Sequence, residues 1–193
     1  AIKAAGNKAK GSTIVVTLEP CNHSGSTGPC AQAIIDAGIR TVVYAVSDPN
    51  AKAAGGANTL RAAGITVVEG VLRDEAAYSN RAWLTKITKN RPFFTWKVAT
   101  TLDAKVAATD GTSKWITNET SRADVQVLRR QADAILVGTN TVIADDPHLI
   151  PRGDFAGYTH NPVRVICGEQ TLPTDAKVFD NAADTVVVAS KDL

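Results

Sequence analysis

The chain has 193 residues, room for one large domain or two small ones, and is 44% apolar and 21% charged with a net charge of +2. With no Lys/Arg block, this balance argues against nucleic acid or a membrane surface as the main partner, and no apolar run approaches the roughly 20 residues of a membrane span. Three Cys and no signal peptide argue against a secreted disulfide framework, so a cytoplasmic setting is expected.

Residues 1–10 are rich in Ala and Lys and read as helix. Thr13–Leu18 is an apolar run that reads as a buried strand. Thr27, Gly28 and Pro29 are start signals for a helix over 29–37, and Gly38 stops it. Thr41–Val46 reads as a strand closed by Ser47-Asp48-Pro49-Asn50, 53–63 as a helix and 65–69 as a strand. Residues 74–89 have the pattern of one longer amphipathic helix. Strands spaced by such helices imply crossovers and a largely parallel sheet.

Asn90-Arg91-Pro92 is a breaker, which places a domain boundary between 1–90 and 91–193. Beyond it, 93–99 and 105–108 read as strands, the latter followed by an Asp110-Gly111 turn. Residues 117–130 read as a helix capped by Thr117 or Asn118. Residues 133–137 read as a buried strand running into a small-residue turn, Gly138-Thr139-Asn140-Thr141, whose amides suit a pyrophosphate. A polar loop is expected over 154–161, with further strands at Val163–Cys167 and 185–189; Cys167 reads as core.

Cys21 and Cys30 carry the clearest chemistry. One ends a strand and the other opens a helix, whose dipole favours the thiolate a metal needs. Pro-Cys-x-x-Cys is the zinc half of nucleobase deaminases, completed upstream by His-x-Glu. Here the spacing is eight residues and the upstream half is absent. Two unrelated core cysteines are the bland alternative. As a shared half-site, the sulfurs should lie about 3.5–4 Å apart, each ~2.3 Å from a tetrahedral zinc. His23 reads as a loop histidine facing substrate or solvent, since chelation two residues from Cys21 would be cramped. Glu19 reads as a structural acceptor for loop amides.

Thr17 to Cys30, followed by Ser47-Asp48-Pro49-Asn50, resembles the deaminase half of the RibD family of bifunctional riboflavin-biosynthesis proteins. Residues 97–103, Ser113-Lys114-Trp115-Ile116-Thr117, Asp133 to Gly138, Thr141 and Ala144-Asp145-Asp146-Pro147 resemble its reductase half. The resemblance implies an α/β chain: a cytidine-deaminase-like domain over 1–90, then a dihydrofolate-reductase-like domain over 91–193. It implies zinc-dependent deamination of a phosphorylated diaminopyrimidine riboside, then NADPH-dependent reduction of its ribose to ribityl. The family's His ligand and catalytic Glu would lie upstream of Ala1, so no catalytic residue is assigned here. With no Met in the chain, a fragment truncated at both ends and inactive as a deaminase is expected.

By the same resemblance, Cys21 and Cys30 hold the metal. Ala99, Trp115, Thr141 and Asp145 touch the dinucleotide, although without the motif Trp115 would read as a core aromatic. His23, Ser113, Arg129, Leu149 and Arg152 fall at substrate positions. Arg129 and Arg152 suit a phosphomonoester, which guanidinium grips bidentately, and should converge beside Ser113. The family usually has Arg or Lys at Ser26, Gly at Ala104 and Thr at Ile150. Two rivals remain: a stand-alone nucleobase deaminase, and an inactive scaffold. The expected partner is a small pyrimidine ribotide, with neither nucleic acid nor membrane; a homo-oligomer is left open.

Overall fold

A computed structural model describes residues 1–153 and 160–189. They form two compact units, Ala1–Trp96 and Lys97–Leu193.

In the first unit, β-branched runs build strands β1 (Thr13–Leu18), β2 (Thr41–Val46) and β3 (Thr66–Glu69), because stiff branched side chains pack well on a pleated surface. They pair in parallel in the order β1-β2-β3, with Thr13 opposite Thr41 and Thr41 opposite Thr66. The crossovers are helices α2 (Cys30–Asp36) and α3 (Gly56–Ala62). Ala31 and Ile34 of α2 and Leu60 of α3 bury against Val42 of β2. Burying a side chain such as Leu60 is worth about 1.5–3 kcal/mol. On another cluster, Ala76 of α4 (Arg73–Ser79) meets Ala45 and Val46, with Leu84 of α5 (Arg81–Lys89) packed alongside.

Several expectations give way here. Strand β1 is not buried: it has one neighbour in the sheet, and Val15 is 71% exposed. The N-terminal helix is only α1 (Ile2–Ala5), followed by a 3₁₀ turn at Gly6–Ala9. The helix expected from 53 starts at Gly56, because the amides of Ala53 and Ala54 close a turn on the Asn50 carbonyl instead. The single helix over 74–89 is two, α4 and α5, joined at Asn80. Ser79 and Asn80 are weak helix formers whose side chains compete for backbone partners.

The second unit repeats the parallel scheme. Strands β4 (Ala134–Gly138), β5 (Val163–Cys167) and β6 (Thr185–Val188) pair in that order, with Ala134 opposite Val163 and Arg164 opposite Thr185. Its core gathers Val142, Leu149, Ile166, Ala176 and Val178. Helix α6 (Glu119–Gln131) starts at Asn118, whose side chain accepts from the Ser121 amide at 2.9 Å. The expected Gly138–Thr141 turn is instead the entry to helix α7 (Thr139–Asp145), which begins directly after β4. β4 was expected to be buried, yet as an edge strand it leaves Leu136 half-exposed.

Neither 93–99 nor 105–108 forms a strand. A strand needs a ladder partner, and among the described residues neither segment meets one. Residues 101–105 close a tight turn, with Ala104 N–H on the Thr101 carbonyl at 3.0 Å. Ala104 sits there at φ 61, the left-handed region that favours glycine. The loop expected over 154–161 falls largely outside the described residues, as does the end of the chain after Ala189.

Candidate functional site

The Glu19-Pro20-Cys21 turn leaves the end of β1 and is held by its own sequence. Glu19 is buried, and its carboxylate accepts three backbone amides: Asp48 at 3.1 Å, Gly55 at 3.2 Å and Ala57 at 3.0 Å. This bears out its reading as a structural acceptor. Gly56 backs against the turn so closely that a Cβ there would lie 1.8 Å from the Pro20 carbonyl oxygen. The turn therefore aims Cys21 at the first residue of α2, Cys30.

Both cysteines are free thiols. Cys30 N–H donates to Cys21 Sγ at 3.3 Å. The Cys30 amide is the main reason the Cys21 thiol ionises below its ordinary range. The Cys30 thiol is pushed up, first by its bond to Cys21 and then by burial. Two soft sulfur donors joined through the Cys30 amide, one of them acidified, fit half of a tetrahedral zinc site. Among the described residues no set of three His, Cys, Asp or Glu gathers as a metal site, and His23 is exposed on the same loop.

In the second unit the expected site residues fall into three groups. Ser113 and Trp115 line a cavity of about 330 Å³ together with Thr101, Asp103 and Lys105. Half-buried Ala99 lies two residues before that lining begins. Trp115 is not core: it is 69% exposed, and the Arg122 guanidinium lies 4.5 Å from its ring centroid. A larger cavity, about 530 Å³, opens near the starts of β5 and β6 and is lined by His160, Phe179 and Asp180. It contains none of the expected site residues and sits at the wrong strand ends for a nucleotide, which binds at carboxyl ends in open α/β sheets.

Arg129 and Arg152 form the second group. Arg129 donates to the Ile150 carbonyl at 3.2 Å, and the Arg152 amide donates to Gln126 Oε1 at 3.0 Å. Burial, then the neighbouring charge of Arg152, lowers the Arg129 pKa from its usual value. Two like charges are thus held together, and among the described residues neither meets a carboxylate. Ser113 was expected beside them, but its cavity is not lined by either arginine. Leu149, expected to face substrate, is 3% exposed with its side chain in the core cluster; φ 53 there turns the loop toward Ile150 and Arg152.

Thr141 and Asp145 are the third group. They lie four residues apart on exposed positions of α7, hence side by side on one face. Sequence reasoning missed Arg122 and Gln126, although their spacing to Arg129 on one helix row was readable. It also missed Arg164, fully buried in β5 and bonded to Asp180 Oδ1 at 2.7 Å; a lone Arg inside an apolar strand was the available signal.

Residues 92–193, over half the chain, match the family model described as the RibD C-terminal domain. The chain belongs to the RibD family. Residues 1–46 match the cytidine and deoxycytidylate deaminase zinc-binding region. RibD of Mycobacterium tuberculosis is 47% identical over 194 aligned residues, covering 100% of this chain and 57% of that protein. RibD of Aquifex aeolicus is 49% identical over 195, covering 100% and 54%. The crystal structure of a Thermotoga maritima diaminohydroxyphosphoribosylaminopyrimidine deaminase/5-amino-6-(5-phosphoribosylamino)uracil reductase superposes with a TM-score of 0.85 at 39% identity, covering 100% of this chain and 55% of that one. The chain thus spans a little over half the length of these RibD relatives. Its architecture is that of the family: a cytidine-deaminase-like α/β portion followed by a dihydrofolate-reductase-like one.

Proposed function

We propose that this chain works in riboflavin biosynthesis, with 1–90 in the deaminase half and 91–193 in the NADPH-dependent reductase half of a bifunctional, cytoplasmic enzyme. The substrate is a small phosphorylated pyrimidine riboside; neither nucleic acid nor membrane takes part, and a homo-oligomer is left open. The observation that carries the reading is the pairing of Arg129 with Arg152. Arg129 lies close enough to Arg152 for the two charges to oppose each other, among the described residues neither meets a carboxylate, and a phosphomonoester would relieve that repulsion.

When bound, zinc supplies an activated water and NADPH a hydride. Cys21 and Cys30 are the residues that would hold the metal. Glu19 is not the proton carrier of deamination, since both of its oxygens are occupied by backbone amides. His23, exposed on the same loop, is assigned to substrate. Trp115, Thr141, Asp145 and the half-buried Ala99 orient the dinucleotide. The two arginines bind the substrate's phosphate and Ser113 another part of the substrate, with Leu149 contributing only main chain.

The test is oxidation of NADPH, followed by its absorbance, in the complete protein with the phosphoribosylamino-uracil. Turnover is expected there, and Arg129→Ala should raise KM for the riboside far more than KM for NADPH. No turnover together with no binding of either ligand would sink the reductase reading. Zinc titration tests the other half: binding should be weak and vanish in Cys21→Ser.

A further inference from the structure

Helix α6 carries Arg122, Gln126 and Arg129 at i, i+4 and i+7, which is one row of its surface. Two of these serve the loop at 150–152, as described. The third turns the other way. The Arg122 guanidinium donates to the Thr117 carbonyl and lies 4.5 Å from the centroid of the Trp115 ring. Both partners belong to the stretch just before α6, so the arginine pins that stretch to the helix.

We propose that Arg122 is a positioning residue for the dinucleotide: it backs one face of the Trp115 indole and holds the ring ready to receive a flat cofactor ring on the other. This rests on the reading of Trp115 as part of the cofactor subsite. An indole that is 69% exposed would otherwise sample several rotamers, and each would have to be given up on binding. A guanidinium suits the task because it is planar, stacks on an aromatic face and stays charged. The Thr117 carbonyl fixes it from behind, so the stack is set before any ligand arrives. A second consequence is that one helix row registers both subsites, with Arg122 serving the cofactor side and Gln126 and Arg129 the phosphate side.

The experiment uses the full chain with Trp83→Phe and Trp96→Phe, leaving Trp115 as the sole indole. In this background Arg122→Ala should increase acrylamide quenching of Trp115 without any ligand. It should weaken NADPH binding about threefold to tenfold, the size expected for loss of an exposed cation–π contact and its preorganisation. Affinity for ribose 5-phosphate, which probes Arg129 and Arg152, should not change. Arg122→Lys, which keeps a cation near the ring but lacks the planar fork, should recover part of the NADPH affinity. Unchanged NADPH affinity, or equal loss of both ligands, would overturn the proposal. If the chain with Arg122 intact binds ribose 5-phosphate but not NADPH, the cofactor reading of Trp115 fails first, and this inference with it.

Discussion

The thiol turn and the paired arginines are held in opposite ways. Cys21 sits on a turn whose own buried carboxylate, Glu19, accepts three backbone amides and whose back is closed by Gly56. Arg129 and Arg152 sit on a helix face and a loop, tied by two hydrogen bonds at 3.2 and 3.0 Å and opposed by their own charges. The first site is therefore fixed by the fold before any ligand arrives. The second is completed by its ligand. Damage to the first should appear as lost stability, and damage to the second as lost binding.

The largest effect should come from Glu19→Ala. It leaves three backbone amides without their acceptor, two of them with buried bonds, and each orphaned donor costs about 1–3 kcal/mol. We expect a loss of about 4 kcal/mol, read in a denaturant melt, together with loss of whatever zinc the chain binds. A melt within error of the parent would mean the carboxylate is dispensable and the contrast with the arginine site is unfounded.

Arg129→Ala should do the reverse. A lost charged hydrogen bond costs about 1.5–3 kcal/mol, or roughly 10- to 150-fold in affinity for the phosphorylated ligand. Removing one of two like charges should leave the melting temperature unchanged or slightly higher. Isothermal titration with ribose 5-phosphate and with NADPH separates the two ligands. If cofactor is lost and sugar phosphate kept, the subsites are assigned backwards.

A smaller gain is expected from Ala104→Gly. The residue adopts φ 61, which costs an L-residue about 1 kcal/mol. Part of that returns as entropy of the unfolded chain. A net rise of a few tenths of a kcal/mol should appear in the melt of the second unit. A fall would indicate that Ala104 makes a compensating contact.

The smallest effect concerns acid. The Ala182 amide, then Arg164, hold the Asp180 carboxyl down at about 2. A depressed carboxyl stabilises the fold at pH values above its unfolded pKa of ~3.9 and loses that contribution as pH falls toward about 2. With 40% of its side chain exposed the effect is screened, so only a modest extra slope is expected between about pH 4 and pH 2. Asp180→Asn should flatten that slope, as followed by melts across the range.

Much of this was readable from residue order. β1, β2 and β5 lie at the positions that their β-branched runs indicate, and the Cys21/Cys30 pair was visible from Pro-Cys and Gly-Pro-Cys alone. The segments 93–99 and 105–108 were not readable, because an apolar run says nothing about whether a neighbouring strand exists to take its hydrogen bonds. The break at Asn80 was hidden by helical periodicity that continues across it. Leu149 was misjudged because motif position gives the residue but not which way its side chain turns. Arg122 and Gln126 share a readable helix row with Arg129, but spacing alone does not say which residues of a row meet a partner.

Gly56 and Glu19 also set an order of events in folding. The bond from the Gly55 amide to Glu19 spans 36 residues. Until α3 docks, the turn that points Cys21 at Cys30 lacks two of the three amides that Glu19 binds and the backing of Gly56, although the two thiols are only nine residues apart. Closing the longer loop carries the larger entropic cost and comes later. A nascent chain that has exposed both sulfurs thus still lacks part of their support, and the turn is completed only when residues 55–57 arrive.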